Sequence, residues 1–277
     1  MYKKIAVAVA FSPTCQALIS EALRLQSLFD SELLLIHVGK NDDEEQKKMD
    51  DILRKASLAK DKTKLIWKSG NNTADIILEV CLKEKVDLLV AGALRKENLY
   101  GYYIGSIARK ILRKSNCSVL MLTNPSLKPN SFNKVVIQAG ASSVPQRALS
   151  IGCQLAKMEE SSIVHIVREV KLLGLSMALA SEETEDEYGK TKKNIVNEEV
   201  IEVERKLKGL DTEGLRLNIK VTAGKPGHEL SNFVQKIHAD LLIMQGLDRK
   251  MKFIDRIFRQ DLEHIMSNLP TNLLIVH

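Results

Sequence analysis

The chain carries the same succession of apolar segments twice. Residues 4–12 and 134–142 each form an apolar run that ends in a small residue and a serine, and a helical pattern follows both. A second apolar run comes next in each half, at residues 33–38 and 163–167. This repeat predicts two copies of one domain, because 277 residues suffice for two domains of ordinary size.

The apolar segments indicate strands of a parallel sheet. They are continuously apolar instead of alternating, which is typical of strands that helices cover on both faces. The segments between them are long enough for crossover helices, so the expected order is a repeated βαβ unit. We therefore predict an α/β fold with two doubly wound domains, each with a mostly parallel sheet of five strands.

The boundary between the two domains is predicted from composition. A segment rich in Pro, Asn and Ser at residues 124–131 reads as a linker. We place domain 1 at residues 1–125 and domain 2 at residues 133–277. Domain 2 has the longer central helical pattern, at residues 182–208, compared with residues 42–60 in domain 1.

Composition excludes several classes of protein. With 44% hydrophobic and 27% charged residues, the chain is typical of a globular protein. No apolar run reaches the roughly 18 residues of a membrane helix, and the N-terminal run is too short for a signal peptide, so we expect a cytoplasmic protein. Cys15, Cys81, Cys117 and Cys153 lie far apart, without the spacing of a zinc site, so we expect buried thiols and no metal.

The segment after the fourth predicted strand carries the clearest sign of a ligand. Gly92 and Arg95 are followed by nine residues and then by Gly105 and Ser106, which open a helical pattern. Open α/β sheets bind ligands beyond the carboxyl ends of their strands, and a helix that begins with Gly-Ser exposes backbone N–H groups to an anion. Serine is also a common helix cap, so the pair alone is a weak signal.

The repeat, this spacing and the closing strand near Cys117 together resemble a tandem universal stress protein, with two domains of the universal stress protein A type. The resemblance covers nearly the whole chain and implies a fold similar to that of the adenine nucleotide alpha hydrolases. Family members that bind ATP carry an Asp at the end of the first strand. They also carry Gly-x-x-Gly, nine residues and then Gly-Ser or Gly-Thr, which hold the ribose and phosphates. Val38 stands where the family packs adenine.

Two of the family's ligand-binding positions differ in both halves. The acidic position at the end of the first strand holds Ala10 in domain 1 and Gly140 in domain 2. Neither residue offers a side-chain acceptor for a ribose hydroxyl or a metal. The second glycine of the signature is replaced by Arg95 and by Arg249, and an arginine is strained wherever the backbone requires a positive φ.

The Gly-Ser pair survives in one half only. Domain 1 keeps it as Gly105 and Ser106, whereas domain 2 has Arg259 and Gln260 at the same spacing. We therefore expect domain 2 to have lost the phosphate cradle. The candidate nucleotide-binding residues are Val38, Gly92, Arg95, Gly105 and Ser106. Arginine pairs well with phosphate, so Arg95 either holds an anion above this pair or fills a vacated pocket.

Three functions are compatible with these residues. The first is a non-enzymatic stress-response or regulatory protein that requires no cofactor and has degenerate nucleotide sites. The second is a protein that binds ATP or AMP, or hydrolyses ATP slowly, in domain 1 only. The third is a binder of another small anion or of a lipid in the vacated clefts. No motif of a hydrolase or metalloenzyme is present in the sequence, so the first function is preferred.

Partners are predicted only in outline. The family pairs domains through their last strands, which implies internal pairing of the segment from Val119 to Leu122 with the segment from Leu273 to Val276. A further homodimer stays open, and the protein partners are unknown. Basic and aromatic residues alternate at residues 249–259, but a short helix explains them, so nucleic acid is not the expected partner.

Overall fold

The computed structural model divides the chain into two compact units. Unit 1 comprises Met1–Ser131 together with Asn272–His277, and unit 2 comprises Phe132–Thr271. The structure describes residues 1–56, 62–95, 102–140, 146–171, 185–225, 227–246 and 262–277. Strands and helices alternate in both units, which confirms the predicted α/β fold.

Unit 1 is built on a parallel sheet flanked by helices. Its parallel strands are β1 (Lys4–Val9), β2 (Glu32–Val38), β3 (Thr63–Lys68), β4 (Leu88–Gly92) and β7 (Ser118–Leu122), in the order β7-β4-β1-β2-β3. A short antiparallel hairpin joins β5 (Leu94–Arg95) to β6 (Tyr102–Tyr103). The helices are α1 (Cys15–Phe29), α2 (Asp43–Lys55), α3 (Thr73–Lys83) and α4 (Ser106–Lys114).

Most strands of this sheet are buried, and their order reverses at β1. Every residue of β7 is buried, and so are most residues of β1, β2 and β4, which explains their continuous apolar character. The chain leaves β1 for β2 on one side and reaches β4 on the other, so the strand order reverses at β1. In such sheets the crevice beyond the carboxyl ends at the reversal is the usual ligand site.

Unit 2 repeats this arrangement with longer elements. Its strands are β8 (Lys134–Gln138), β9 (Ile163–Lys171), β10 (Leu217–Gly224) and β11 (Leu241–Gln245), all parallel, in the order β10-β9-β8-β11. Its helices are α5 (Arg147–Met158), α6 (Glu185–Leu207) and α7 (His228–Lys236), and residues 262–267 are also helical. The 23 residues of α6 compare with 13 in α2, in line with the longer central segment of the second half.

The last strand of the chain lies in unit 1. Strand β12 (Asn272–Val276) pairs antiparallel with β7, with Leu274 opposite Leu120. Asn272 fixes the end of this ladder, because its Oδ1 accepts hydrogen bonds from the backbone N–H and the hydroxyl of Thr123 at 2.9 and 3.2 Å. This pairing covers an edge whose residues are all apolar except Ser118 and which would otherwise offer unpaired backbone groups.

One aspartate before the fourth strand of each half ties that strand to the first. Asp87 Oδ2 accepts hydrogen bonds from the backbone N–H groups of Lys3 and Lys4, at 2.8 and 2.9 Å. In unit 2, Asp240 Oδ2 accepts the same two bonds from Asn133 and Lys134, at 2.9 and 2.7 Å. The repeated Asp-Leu-Leu of the sequence therefore reflects a repeated structural contact.

Replacing Asp87 with alanine is expected to lower the free energy of unfolding of unit 1 by about 1–2 kcal/mol, because two backbone donors lose a charged acceptor. Asp87→Asn should recover part of this loss, since the amide oxygen still accepts. Urea denaturation followed by circular dichroism measures both. Asp50→Ala, on the exposed side of α2, is the control and should stay within about 0.5 kcal/mol of the wild type. Equal effects of the three substitutions would contradict this role of Asp87.

The described helices include none that is long and apolar enough to cross a bilayer. All four cysteines are buried as free thiols. Burial raises the pKa of the Cys15 thiol and raises the pKa of Cys153 to about 11, which makes both weak nucleophiles.

Candidate functional site

The carboxyl edge of the unit 1 sheet holds a cluster of aromatic rings. The His37 ring, at the end of β2, lies 4.6 Å from the ring of Phe11 and 4.6 Å from that of Trp67 on β3. His37 is buried, whereas Phe11, in the segment after β1, is partly exposed. Val38, the residue expected to contact adenine, is half-buried and follows His37 in the strand, so its side chain points to the opposite face of the sheet.

The imidazole of His37 faces the carboxylate of Glu45, which was not among the predicted site residues. Its Nδ1 lies 3.0 Å from the backbone oxygen of Val9, so Nδ1 carries the proton and donates. Its Nε2 lies 3.6 Å from Oε2 of Glu45 on α2, and both atoms are buried without a hydrogen-bond partner among the described residues. The two atoms therefore face each other without a hydrogen bond.

The backbone after β2 passes close to this pair. A Cβ atom on Gly39 would lie 2.5 Å from His37 Nε2 and 2.9 Å from Glu45 Oε2, so only glycine fits. Trp67 Nε1 donates to the backbone oxygen of Lys40 at 3.1 Å, and the Ser69 hydroxyl donates to that of Gly39 at 3.1 Å. Side chains from the end of β3 and the residue that follows it thus hold this segment in place.

A signal for Glu45 was present in the sequence. Asp42 caps α2, since its Oδ1 accepts a hydrogen bond from the Glu45 backbone N–H at 2.9 Å. This places Glu45 at the third position of the helix, from which a glutamate commonly turns back toward the cap. Here its carboxylate lies beside His37 instead. Cap and glutamate could be read from the sequence, but their proximity to His37 depends on how α2 packs.

The retained signature glycines flank the hairpin of unit 1. Gly92 ends β4 and is half-buried, and Gly105 caps α4, which begins at exposed Ser106. The backbone of Arg95 is in a strand opposite Tyr102, and Arg95 is absent from the described residues with positive φ. The expected strain at Arg95 therefore does not arise, because its backbone has the extended conformation of a strand. The side chain of Arg95 lies outside the described part.

At the equivalent edge of unit 2, the side chains of Lys206 and Arg168 contact the backbone that follows β8. Lys206 of α6 is buried, and its Nζ donates to the backbone oxygen of Gly140 at 3.0 Å. Burial, with the nearby positive charge of Arg168, lowers the pKa of Lys206. Arg168 on β9 pairs with Glu199 at 2.6 Å and approaches the backbone oxygen of Ala139 at 3.5 Å. Gly140 stands where the resemblance implies an acid, and the backbone at this position thus contacts two cationic side chains.

A half-buried carboxylate joins β9 to the start of α7 in unit 2. Glu169 accepts hydrogen bonds from Gln138 Nε2 at 3.0 Å and from the backbone N–H of Gly227 at 3.2 Å. Burial raises the pKa of its carboxyl, although these bonds act in the opposite direction. Gly227 has φ 73° at the start of α7, a left-handed conformation that favours glycine, and Glu169 binds its backbone N–H.

The raised pKa of Glu169 predicts that the stability difference between the wild type and Glu169→Gln depends on pH. Because the folded-state pKa is raised, the carboxyl stabilises unit 2 most below the ordinary Glu pKa, and this contribution is lost as pH rises through the folded value. The wild type should therefore gain stability relative to Glu169→Gln between pH 7 and pH 4 in urea titrations. Glu204→Gln, at an exposed position of α6, controls for net charge. A constant difference between wild type and Glu169→Gln would contradict the assignment.

No metal-binding cluster is found in the described part of the chain. No group of three or more His, Cys, Asp or Glu side chains there could hold a metal ion. Asn218 Nδ2 donates to Nδ1 of His165 at 3.1 Å, and burial lowers the His165 pKa. Three positions expected to be degenerate, Arg249, Arg259 and Gln260, lie outside the described residues.

Comparison with solved structures identifies the same two-domain fold. A functionally unknown protein from Pseudomonas aeruginosa PAO1 is 16% identical, with a TM-score of 0.68, over 99% of this chain and 92% of that one. A putative universal stress protein from Pseudomonas aeruginosa UCBPP-PA14 is also 16% identical, with a TM-score of 0.68, over 99% of this chain and 93% of that one. A universal stress protein from Archaeoglobus fulgidus DSM 4304 is 15% identical, with a TM-score of 0.62, over 99% of this chain and 95% of that one. At these identities the likeness shows the fold alone.

Sequence comparison gives the family. Among proteins with curated functions, none matches the chain. The model of the universal stress protein family, in contrast, matches it twice, over residues 1–123 and over residues 131–277. The two matches account for almost every residue, and each spans one of the repeated halves. The chain therefore belongs to the universal stress protein family and carries two of its domains in tandem.

Proposed function

We propose that this protein is a non-enzymatic stress-response or regulatory protein whose nucleotide clefts are degenerate and which acts through protein partners. The observation that carries the proposal is the hydrogen bond from Lys206 Nζ to the Gly140 carbonyl, with Arg168 beside it. A buried cation binds the backbone of Gly140, the position at which the resemblance implies an acidic side chain that would accept from ribose. Ala10 in unit 1 likewise provides no such acceptor.

The aromatic cluster supports the same proposal for unit 1. Phe11, His37 and Trp67 are in contact at the carboxyl edge of the sheet, and the backbone that follows β2 is fixed by Trp67 and Ser69. A ligand that entered this cluster would have to displace these groups or stack on exposed Phe11. Displacement breaks the bond from His37 to Val9, which costs binding free energy.

The proposal is tested on the purified full chain. Some universal stress proteins have been solved in complex with cAMP or dAMP, so the assay covers several adenine nucleotides. Protein is denatured and the released nucleotides are quantified by chromatography, and a second sample is incubated with ATP and Mg²⁺ to measure turnover. We expect less than one nucleotide per ten chains and no ATP turnover above the buffer control. Stoichiometric nucleotide or steady hydrolysis overturns the proposal.

A second candidate is adenine nucleotide binding by unit 1 alone. Helix α4 begins at Ser106, directly after Gly105. The retained Gly-Ser pair thus places a helix N-terminus, which can bind an anion, at the carboxyl edge of the sheet, and this favours the second candidate. If nucleotide is found, Ser106→Ala should weaken its binding. Ser150→Ala, at an exposed position of α5 in unit 2, should leave binding unchanged. Equal effects of both substitutions would exclude the unit 1 site.

A further inference from the structure

Two large aliphatic side chains are exposed where the β5–β6 hairpin meets α4. Leu94 of β5 is 51% exposed, and Ile107, in the first turn of α4, is 48% exposed. A Cβ atom on Gly105 would lie 2.8 Å from Leu94 Cδ1, so the Leu94 side chain lies against the residue that caps α4. Tyr103, which pairs with Leu94 across the hairpin, is half-buried. Leu94 and Ile107 therefore border one surface at the start of α4.

Positive charge is concentrated next to these side chains. Between Tyr102 and Cys117 the sequence has four Lys or Arg residues and no acid, which is +4 of the formal net charge of +6 for the whole chain. All four cations belong to α4: Arg109, Lys110, Arg113 and Lys114. Of these, Arg113 and Lys114 are exposed. One short helix thus carries most of the net charge of the protein.

The aliphatic and cationic side chains of α4 share one face of the helix. Ile107, Lys110 and Lys114 are three and four positions apart, so they form a row about 10 Å long. Lys110 already has a carboxylate partner, because its Nζ lies 2.7 Å from Oδ2 of Asp75 on α3. The row therefore begins with an exposed aliphatic side chain and ends with an exposed cation, and Arg113 is next to that cation in the helix.

The chemistry of this surface favours a protein partner over nucleic acid or lipid. Phosphate groups would pair with the cations of α4 but would leave Leu94 and Ile107 exposed to water. A helix that binds a bilayer keeps its apolar face for the lipid, whereas α4 buries Ile111 and Leu112 in its own unit. A protein segment that carries both aliphatic and acidic side chains complements both parts of the surface.

We propose that the hairpin–α4 surface, formed by Leu94, Ile107, Arg113 and Lys114, is a docking site for an acidic protein segment with aliphatic side chains. This inference rests on the proposed function, because it requires that the protein act through protein partners. The aliphatic side chains of the segment cover Leu94 and Ile107 and remove their apolar surface from water. Its carboxylates face Arg113 and Lys114, which accelerates association and disfavours basic partners.

The test is peptide binding to the folded full chain in the absence of nucleotide. The probe is a fluorescein-labelled peptide of about 14 residues, or four helical turns, with Leu on one face and Glu on the other. A second peptide has Ser in place of every Leu, and a third has Lys in place of every Glu. Fluorescence anisotropy should give at least tenfold tighter binding of the first peptide than of either control, and its affinity should fall as NaCl is raised.

Matched variants locate the contact on the surface of unit 1. Ile107→Ser and Lys114→Glu should each weaken binding of the first peptide at least fivefold. Leu127→Ser and Lys47→Glu change the same kinds of side chain at exposed positions outside the hairpin–α4 surface, so they should leave the affinity unchanged. All four positions are exposed, and far-ultraviolet circular dichroism shows whether each variant is folded. The comparison of the three peptides on the wild type stands without the variants.

Several results would overturn the docking site. These are no saturable binding of the first peptide at about 1 mM, which is a binding free energy weaker than about −4 kcal/mol, equal binding of the Ser peptide, or equal effects of the surface and control variants. Tighter binding of single-stranded RNA or of phosphatidylglycerol vesicles than of the peptide would also overturn it. The nucleotide assay fails separately, because bound nucleotide contradicts the proposed function whether or not the peptide binds.

Discussion

Leu274→Asp is expected to destabilise unit 1 by more than about 4 kcal/mol. Leu274 is 1% exposed at the centre of β12, opposite Leu120 of β7. A carboxylate at this position loses its water without gaining an ion partner, and buried unpaired charges are among the most destabilising substitutions known. The change also weakens β12 and so uncovers the apolar edge of β7, which favours aggregation.

Urea denaturation and amide hydrogen exchange measure this effect. The backbone N–H groups of β7 should lose protection in Leu274→Asp, while β8 and β9 keep theirs, because they belong to unit 2. Leu127→Asp is the matched control, since Leu127 is 66% exposed and its substitution should change stability by less than about 0.5 kcal/mol. Unchanged protection of β7 in Leu274→Asp would show that β12 contributes little.

Gly152→Val should destabilise unit 2 by about 3 kcal/mol. A Cβ atom on Gly152 of α5 would lie 2.5 Å from Cδ1 of Ile137 on β8 and 3.3 Å from Cδ1 of Ile243 on β11. Both isoleucines are fully buried, so they have no free space into which to move. Overpacking of this kind forces helix and sheet apart and outweighs the gain in helix propensity.

The control for Gly152→Val is another glycine of the same unit. A Cβ atom on Gly209 would meet nothing within 4 Å, so Gly209→Ala should leave stability within about 0.5 kcal/mol of the wild type. Thermal unfolding monitored by circular dichroism compares the two variants. If Gly152→Val melts at the wild-type temperature, the close contact of α5 with the sheet is not a constraint on this chain.

The fold could be predicted from the sequence because the repeat and the apolar runs are local signals. Strands such as β1 and β8 are buried on both faces, and that burial leaves continuous apolar stretches in the sequence. The β5–β6 hairpin was missed, because Arg95 and Tyr102 pair across a stretch that resembled a simple loop. Pairing of two-residue strands leaves almost no pattern in a sequence.

The candidate site could be predicted only in part. Retained and replaced signature positions such as Gly105 and Ala10 were visible, because they depend on residue identity alone. The contact of Lys206 with Gly140 joins residues 66 positions apart and depends on how the long α6 packs. His37 and Glu45 are eight positions apart, yet their contact also depends on the packing of a helix on a sheet. Such contacts follow from tertiary structure and leave no spacing that sequence inspection can detect.

We propose that both clefts are degenerate, because side chains of their own unit occupy them. In unit 2 the buried Lys206 donates a hydrogen bond to the Gly140 carbonyl, and in unit 1 the rings of Phe11 and Trp67 and the Glu45 carboxylate gather around His37. The proposed degeneracy requires that neither unit gain appreciable free energy from an adenine nucleotide.

Isothermal titration calorimetry of the full chain with ATP, with and without Mg²⁺, tests this requirement most directly. At millimolar ATP we expect only the heat of dilution, which corresponds to a Kd weaker than about 1 mM and a binding free energy weaker than about −4 kcal/mol. A saturable heat with a Kd in the micromolar range, at one or two sites per chain, would contradict the central claim that the clefts are degenerate.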